Sequence, residues 1–255
     1  MTNLRPAIRM ILAAACCVTP FAARGDEPPP YLAEVACRWA AKAPVIDGAL
    51  DDPAWDGAAV IDKFPTFWAG TTPGAAHATT ARLVWDADAL YFSAVMTDSE
   101  LRAFGTKHHD HLWNGDVFEM FFKPSREKPA YYEFQANPRS VVFEVAFPER
   151  GAAVGDFGTL PALGMTVVAK LNGTLDKPGD RDVSWTVEGR IPWTAFAPTG
   201  GKPAPGAVWS YAICRYDYGP DGTAPVLMSS APLTKPSFHR HEDYARLKFE
   251  GPVKP

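Results

Sequence analysis

The sequence of 255 residues lacks several features that mark common functional classes. It has no long basic run and a formal net charge of only −4 at pH 7, which argues against nucleic acid or anionic membranes as partners. After the N-terminal segment, no apolar run is long enough to span a bilayer as a helix. A Gly-x-Ser-x-Gly elbow, a phosphate-binding loop, a redox cysteine pair and a Cys-x-x-Cys-His motif are absent as well. The chain therefore carries none of these enzyme signatures and no motif for covalent haem.

Cysteine is also scarce, with 4 in the chain. Cys37 and Cys214 follow the N-terminal segment, and each sits in a strand-like run, one near the start and one near the end. In an oxidising compartment such a pair favours a disulfide, which would close a long loop and stabilise the fold by about 2–5 kcal/mol. Two buried free thiols are the alternative. We predict a bond between Cys37 and Cys214.

The first 25 residues have the pattern of a secretory signal peptide. Arg5 and Arg9 form a short basic region, residues 10–18 are apolar but too few to span a bilayer, and small residues follow. Cleavage is expected near Ala23 to Gly25. A lipoprotein signal is the alternative because Cys16 follows three alanines, but the apolar run before it is short. We therefore expect the protein to be secreted or periplasmic.

Residues 26–30 form a proline-rich tether, and residues 31–255 are predicted to form one domain. No internal repeat or compositional break divides that segment. Its short apolar runs alternate with turn signals, and long segments with helical periodicity are nearly absent. This pattern predicts an all-β fold, a single antiparallel β-sandwich of jelly-roll type. One or two short helices are expected, one of them capped by Asp52 and starting at Pro53.

One predicted strand combines bulky apolar residues with a carboxylate. Residues 111–122 begin as a polar loop that carries Trp113 and continue as a strand rich in aromatics. Alternation puts Glu119 on one face with Val117 and Phe121, and both faces are mostly apolar. A buried carboxylate without partners is costly. We therefore expect either protein donors or a ligand at Glu119, with Trp113 lining the same small site.

Residues 131–137 are predicted to pair with that strand as a hairpin. Alternation places Glu133, Gln135 and Asn137 on one face, beside Glu119. A polar face of this kind fits a binding site, and it equally fits the solvated outer face of an antiparallel sheet. Both interpretations stay open at this point.

Four local patterns together, in this order, resemble the family 9 carbohydrate-binding modules. They are Ile46-Asp-Gly-Ala-Leu-Asp-Asp-Pro-Ala-Trp55, Leu83-Val-Trp-Asp-Ala-Asp-Ala-Leu-Tyr-Phe92, Trp113-Asn-Gly-Asp-Val-Phe-Glu119 and Phe238-His-Arg-His-Glu-Asp-Tyr-Ala-Arg-Leu247. The likeness covers essentially the whole chain after the signal. It implies an antiparallel β-sandwich, structural calcium, and a sugar held between two aromatic side chains. Chain ends and mono- or disaccharides are the ligands that the resemblance implies.

The resemblance also implies roles for five residues of this chain. Trp113 and Phe238 match the aromatic clamp, and Glu119 matches a hydroxyl acceptor beneath it. Gln135 and Asn137 match polar sugar contacts on the neighbouring strand. Two positions depart from the family's pattern, because Phe238 stands where a tryptophan is frequent and Gln135 where sugar-binding members have an arginine. The smaller ring of Phe238 offers less stacking area.

Calcium takes oxygen ligands, and Asp86, Asp88 and Asp98 are the candidates. No EF-hand loop is present, and aspartates that cap turns are the alternative. Histidine clusters at residues 108–111 and 239–241 suit a transition metal in composition. Their spacing is not diagnostic, so solvated loop histidines are the simpler interpretation.

The sequence therefore predicts a secreted, non-catalytic carbohydrate-binding module. A glycan-active enzyme is one alternative, since Glu119 and Glu133 would share a face on paired strands. A non-covalent haem protein of similar sandwich shape is the other, with Met96, Met120 or a histidine as axial ligand.

Overall fold

A computed structural model of the chain describes residues 34–222 and 224–252. The predicted signal peptide, residues 1–25, and the tether, residues 26–30, lie outside the described residues. In the described part, strands dominate, and none of its helices has the length and apolar character needed to cross a membrane. The strands are β1 (Val35–Trp39), β2 (Thr79–Trp85), β3 (Ala89–Thr97), β4 (Val117–Lys123), β5 (Tyr131–Ala136), β6 (Val142–Phe147), β7 (Thr166–Asn172), β8 (Ser184–Pro192), β9 (Val208–Tyr218), β10 (Pro225–Ser229) and β11 (Ala245–Phe249). One short α-helix, α1 (Pro53–Asp56), is described, and the other helical segments are 3-10 turns.

The strands form two layers that are joined through β1. Their order is β6-β5-β4-β9-β11-β1-β2-β3-β8-β7, and β10 pairs with the end of β9 that β11 leaves uncovered. Residues 35–37 of β1 pair with β11, and residues 38–39 pair with β2, both in parallel. The other pairings between these strands are antiparallel. The predicted β-sandwich is confirmed, and the two parallel pairings of β1 were not foreseen.

The core lies between the two layers, where large aromatic side chains meet. Phe118 of β4 stacks on Phe92 of β3 with ring centroids 6.0 Å apart, and both are fully buried. Strand alternation then turns Glu119 to the opposite face of β4. Glu119 pairs with Gln135 and Phe121 pairs with Glu133 across the β4–β5 hairpin, and the hairpin itself was predicted from the sequence. This register places both carboxylates and the amide on one outer face.

The segment before β2 is tied down by a buried carboxylate of β8. Trp55 in α1 is 4% exposed and donates from Nε1 to Oε1 of Glu188 at 2.9 Å. Pro53 starts the helix as predicted. Asp52 occupies the N-cap position, but its carboxylate makes no cap and instead accepts a hydrogen bond from the Val45 amide at 2.9 Å. Asp52 is therefore the N-cap residue, as predicted, and only the expected side-chain hydrogen bond of the cap is wrong.

The predicted disulfide is also wrong, because Cys37 and Cys214 are both buried free thiols. Cys37 pairs with Phe249 of β11, whose amide donates to the carbonyl of Ala207. From residue 207 to Cys214 the chain runs roughly 23 Å along β9 at the usual rise of a strand. A disulfide requires Cα atoms within about 7 Å of each other. β1 and β9 belong to the same layer, but their register on β11 keeps the two thiols apart.

Candidate functional site

A cavity of about 450 Å³ lies on the outer face of the layer that contains β4, β5, β6 and β9. The strands supply a polar floor, and loops supply most of the aromatic walls. The side chains that matter most are Trp68, Trp113, Phe143, Tyr216 and Phe238 in the walls, and Glu119, Glu133 and Gln135 in the floor. The structure thus brings four of the five predicted sugar-binding residues to one cavity.

Trp113 forms part of the wall and is half-buried. It lies in the 3-10 turn Leu112–Asn114, and its ring stands edge-on to Phe143 at a centroid distance of 5.3 Å. The ring of His111 stacks on the indole at 4.6 Å. The carbonyl of Trp113 accepts a 2.8 Å hydrogen bond from the Tyr218 hydroxyl. These contacts fix the indole before a ligand arrives, which lowers the entropic cost of stacking against it.

Phe238 reaches the same cavity from the loop that precedes β11. The residue is 6% exposed, and its ring stands edge-on to Tyr216 at 5.3 Å. Its carbonyl accepts a 2.6 Å hydrogen bond from the hydroxyl of Tyr244. Phe238 therefore presents much less surface to a ligand than the half-buried Trp113 does.

Trp68 is a third wall residue, and the sequence did not predict it. It lies in the 3-10 turn Phe67–Ala69, lines the cavity and is 41% exposed. It belongs to none of the four family-like patterns. The available signal was a large indole next to a stretch of Gly, Thr and Pro residues, which is a poor place for a core side chain.

The floor is built around the side-chain amide of Gln135. Its Nε2 atom donates to Oε1 of Glu119 at 2.8 Å and to Oε1 of Glu133 at 2.6 Å. Glu119, Glu133 and Gln135 are 2%, 4% and 1% exposed. Oε2 of Glu119 and Oε1 of Gln135 are buried and accept no hydrogen bond from the described residues. The floor therefore has more acceptors than donors.

Burial and crowding make these carboxyls hard to ionise together. Burial, followed by the charge of Glu133, raises the pKa of Glu119 well above its usual range. Burial raises the pKa of Glu133 to about 7. Two carboxyls this close titrate as a pair, so at neutral pH Glu119 keeps a proton beside Glu133.

No lysine or arginine lines this cavity within the described ranges. His239 does line it, with Nε2 3.8 Å from Oε2 of Glu133 and Nδ1 3.0 Å from the hydroxyl of Tyr131. Burial, and after it the charge of Arg150, lowers the pKa of His239. The imidazole is therefore neutral near pH 7, and the floor has no compensating cation.

Asn137 does not belong to the cavity, which corrects the sequence-based assignment. Strand β5 ends at Ala136, so the alternation does not extend to the next residue. The Asn137 amide donates from Nδ2 to the carbonyl of Phe104, and its Oδ1 accepts hydrogen bonds from the amides of Arg139 and Val141. Its side chain organises the turn between β5 and β6 instead of facing a ligand.

The three predicted calcium ligands do not form one site. Asp86 and Asp88 lie before β3 and Asp98 lies after it, at opposite ends of a strand that spans roughly 30 Å. Oδ1 of Asp86 accepts hydrogen bonds from the amides of Asp88 and Ala89, so Asp86 caps the turn. Asp98 lies 3.1 Å from the buried Arg215 guanidinium. These residues do not fit a calcium site, and calcium binding through other residues stays a prediction.

Asp98 belongs to a cluster of three buried aspartates around Arg215. Carboxylate oxygens of Asp98, Asp116 and Asp217 lie within 4.8 Å of one another. Nη2 of Arg215 is 2.8 Å from Asp217, and both oxygens of Asp116 accept backbone amides. Burial, followed by the charge of Asp98, raises the pKa of Asp116 to about 9. An internal cation and backbone donors thus satisfy this cluster.

The predicted solvated histidines are solvated only in part. His109 is 5% exposed, and its Nε2 lies 2.9 Å from the carbonyl of Glu144. The carboxylate of Glu144 accepts backbone hydrogen bonds from residues 163–165 and lies 3.2 Å from Nε2 of His108. We interpret this group as an anchor between β6 and the loop before β7.

Comparisons with known proteins agree with this architecture. A family model described as "Carbohydrate family 9 binding domain-like" matches residues 46–251. Endo-1,4-beta-xylanase A of Thermoanaerobacterium saccharolyticum is 28% identical over 160 residues, which make up 62% of this chain and 12% of the xylanase. The chain thus spans only a small part of that relative's length.

Solved structures with the same fold include three similar chains. A putative carbohydrate-binding protein from Bacteroides uniformis ATCC 8492 has a TM-score of 0.64 at 16% identity, with 85% of this chain and 99% of that chain covered. A family 9 module from Caldicellulosiruptor kristjanssonii in complex with cellotriose has a TM-score of 0.58 at 17% identity, with 88% and 100% covered. The same type of module from that organism in complex with glucose has a TM-score of 0.58 at 18% identity, with 86% and 98% covered. Identities this low establish a shared fold alone.

Proposed function

Since the chain belongs to the carbohydrate family 9 binding domain-like family, we propose that its aromatic-walled cavity binds a carbohydrate. The observation that carries the proposal is that Trp113 and Phe238 line one cavity whose floor is Glu119, Glu133 and Gln135. Structures with this fold in complex with cellotriose and with glucose support it. The ligand would be a mono- or disaccharide or the end of a glycan chain.

The two kinds of lining suit the two surfaces of a sugar ring. An aromatic face covers the apolar C–H face of a pyranose, and carboxylate and amide groups bond its hydroxyl rim. The cavity volume of about 450 Å³ falls in the usual range for small-molecule sites. Each polar contact contributes about 1 kcal/mol net, so we expect micromolar to millimolar affinity.

We propose further that the module is non-catalytic. Hydrolysis of a glycosidic bond requires two carboxyl groups that flank the bond, about 5–10 Å apart. Glu119 and Glu133 instead lie side by side in one floor, joined by the single amide nitrogen of Gln135. A sugar above that floor would meet both groups from the same side. Met96 and Met120, considered above as haem ligands, are both fully buried in the core.

The test is titration calorimetry against a panel of mono- and disaccharides, with Trp113→Ala as the site variant. Trp39→Ala is the matched control, because Trp39 is also half-buried but does not line the cavity. We expect Trp113→Ala to weaken sugar binding at least about tenfold, which is 1.4 kcal/mol, and Trp39→Ala to keep the wild-type affinity. Equal heats for wild type and Trp113→Ala would reject the site. Release of reducing ends from any glycan would reject the non-catalytic proposal.

We also propose that the protein is secreted or periplasmic and loses its first two dozen residues on export. The basic and apolar pattern of residues 1–25 supports this. The full chain would be produced in a bacterial host, and the N-terminus of the exported protein sequenced. A start between residues 24 and 26 is expected, which corresponds to cleavage near Ala23 to Gly25. An intact Met1 on the protein recovered outside the cytoplasm would refute cleavage.

A further inference from the structure

The cavity is rich in acceptors and aromatic rings and lacks a fixed positive charge among the described residues that line it. Its floor holds two buried carboxyl groups, and no lysine or arginine among the described residues lines it. Its walls present aromatic rings, whose faces carry negative partial charge and attract cations. The nearby guanidinium of Arg150 is engaged at 2.6 Å by both carboxylate oxygens of Glu242. The ring of His239 is neutral near pH 7, as its lowered pKa implies.

We propose that this cavity selects a protonated amino sugar, a 2-amino-2-deoxyhexose at a glycan end, over the neutral sugar of the same stereochemistry. The inference rests on the proposed function, because it specifies which carbohydrate the cavity takes. It concerns the charge of the ligand, which the carbohydrate proposal leaves open.

The floor offers the acceptors that an ammonium group requires. An ammonium has three N–H donors and no acceptor, whereas a hydroxyl brings one donor together with lone pairs. Oε1 of Gln135 is a buried acceptor without a donor among the described residues, and Oε2 of Glu119 becomes a second one once Glu119 gives up its proton. Hydrogen bonds between an ammonium and a carboxylate are roughly twice as strong as those between neutral groups. A neutral hydroxyl would leave one of these acceptors unsatisfied or would depend on the proton that the carboxyls already hold.

Charge balance points the same way. Burial, and after it the charge of Glu133, raises the pKa of Glu119 well above its usual range, so the pair retains a proton at neutral pH. A bound ammonium supplies a positive charge beside the floor, which lets the pair release that proton and lets both carboxyls ionise. An ammonium that also meets the face of a wall ring would gain a cation–π attraction. An acetylated amine carries no charge, so it gains neither the charge-assisted hydrogen bonds nor the cation–π attraction.

The experiment is titration calorimetry of the wild-type protein with three matched methyl glycosides, those of glucosamine, N-acetylglucosamine and glucose. Measurements at about pH 7 keep the amine largely protonated while Glu133 is partly ionised, and physiological salt screens non-specific attraction. We expect the glucosamine glycoside to bind at least about tenfold more tightly than either of the other two. The same series is repeated with the β-1,4-linked disaccharides of each sugar.

Isosteric variants locate the cause of the preference. In Glu133→Gln and Glu119→Gln we expect the ratio of the two dissociation constants, neutral sugar over amino sugar, to fall towards one. Thermal unfolding of each variant confirms that it is folded. An unchanged ratio in both folded variants would overturn the inference.

The failure of this inference differs from the failure of the proposed function. If the glucose glycoside binds as tightly as the amine, the charge preference is refuted and carbohydrate binding stands. If the wild-type protein binds none of the three sugars or their disaccharides, the proposed function fails with it.

Discussion

Glu119 and Glu133 accept hydrogen bonds from the same nitrogen atom, Nε2 of Gln135, at 2.8 Å and 2.6 Å. The three side chains come from paired strands, with Glu119 directly opposite Gln135 in the register. One amide therefore holds two buried acidic groups close together. This arrangement makes the floor sensitive to protonation, and the first prediction follows from it.

Stability should fall as pH rises through the range in which the pair titrates. Burial raises the pKa of Glu133 from 4.5 to about 7, so the folded state holds its proton more tightly than the unfolded state does. The contribution is fully present below pH 4.5 and is lost as pH rises through about 7. We expect wild type to lose up to about 3 kcal/mol relative to Glu133→Gln between about pH 4 and about pH 8.

Urea unfolding of both proteins at several pH values measures this difference. Asp98 and Asp116, whose pKa values are raised to about 6 and about 9, also make the free energy of unfolding fall as pH rises, but both proteins contain them. His239 has the opposite effect on the free energy of unfolding, because its pKa is lowered. Parallel stability curves for wild type and Glu133→Gln would contradict the raised pKa of the Glu119–Glu133 pair.

Asn137→Ala should destabilise the fold without weakening sugar binding by the folded protein. The fully buried amide donates to the Phe104 carbonyl and accepts from the amides of Arg139 and Val141. Its removal leaves these backbone groups without partners, at a cost of about 3 kcal/mol in the free energy of unfolding. Asn172→Ala, at an exposed position, is the control. A stable Asn137→Ala protein that binds sugar poorly would show that Asn137 does take part in sugar binding.

Trp68→Ala should reduce sugar affinity with little change in stability. The indole is 41% exposed and lines the cavity, so its removal takes away contact area that a ligand would cover. We expect the dissociation constant to rise about threefold to tenfold. Phe104→Ala serves as the control, since Phe104 is 49% exposed and does not line this cavity. Identical affinities in wild type and Trp68→Ala would show that Trp68 does not contribute to sugar binding.

Cys37 and Cys214 should react as two separate thiols. Both are buried, and burial raises the pKa of each thiol well above its usual range, so neither should be alkylated in the native protein. In denaturant without reductant, peptide mapping should find both residues alkylated. Reductant should leave the melting temperature unchanged. A linked peptide containing both cysteines would refute the free-thiol arrangement.

Local periodicity predicted the parts of the site that lie within strands. The alternation in β4 and β5 placed Glu119, Glu133 and Gln135 on one face, because side chains of a strand alternate regardless of the remaining fold. The same rule failed at Asn137, since the strand ends one residue earlier. The position of a strand end depends on turn contacts that the alternation does not encode.

Long-range register was not predictable from these patterns. The pairing of Cys37 with Cys214 was inferred from compartment and number, whereas the actual separation follows from how β1, β11 and β9 align. Trp68 was missed for a related reason. It reaches the cavity from a loop, and the placement of such a loop depends on tertiary packing and not on its own sequence.

The parallel position of β1 between β11 and β2 also affects how the molecule is made. Val35 pairs with Leu247, so one of the first described residues has its partner among the last. During synthesis, this ladder cannot form until nearly the entire polypeptide has been made, and contacts so distant along the chain slow folding. Shortening the C-terminus into β11 would therefore deprive the opening strand of its neighbour and expose an unpaired edge that invites aggregation.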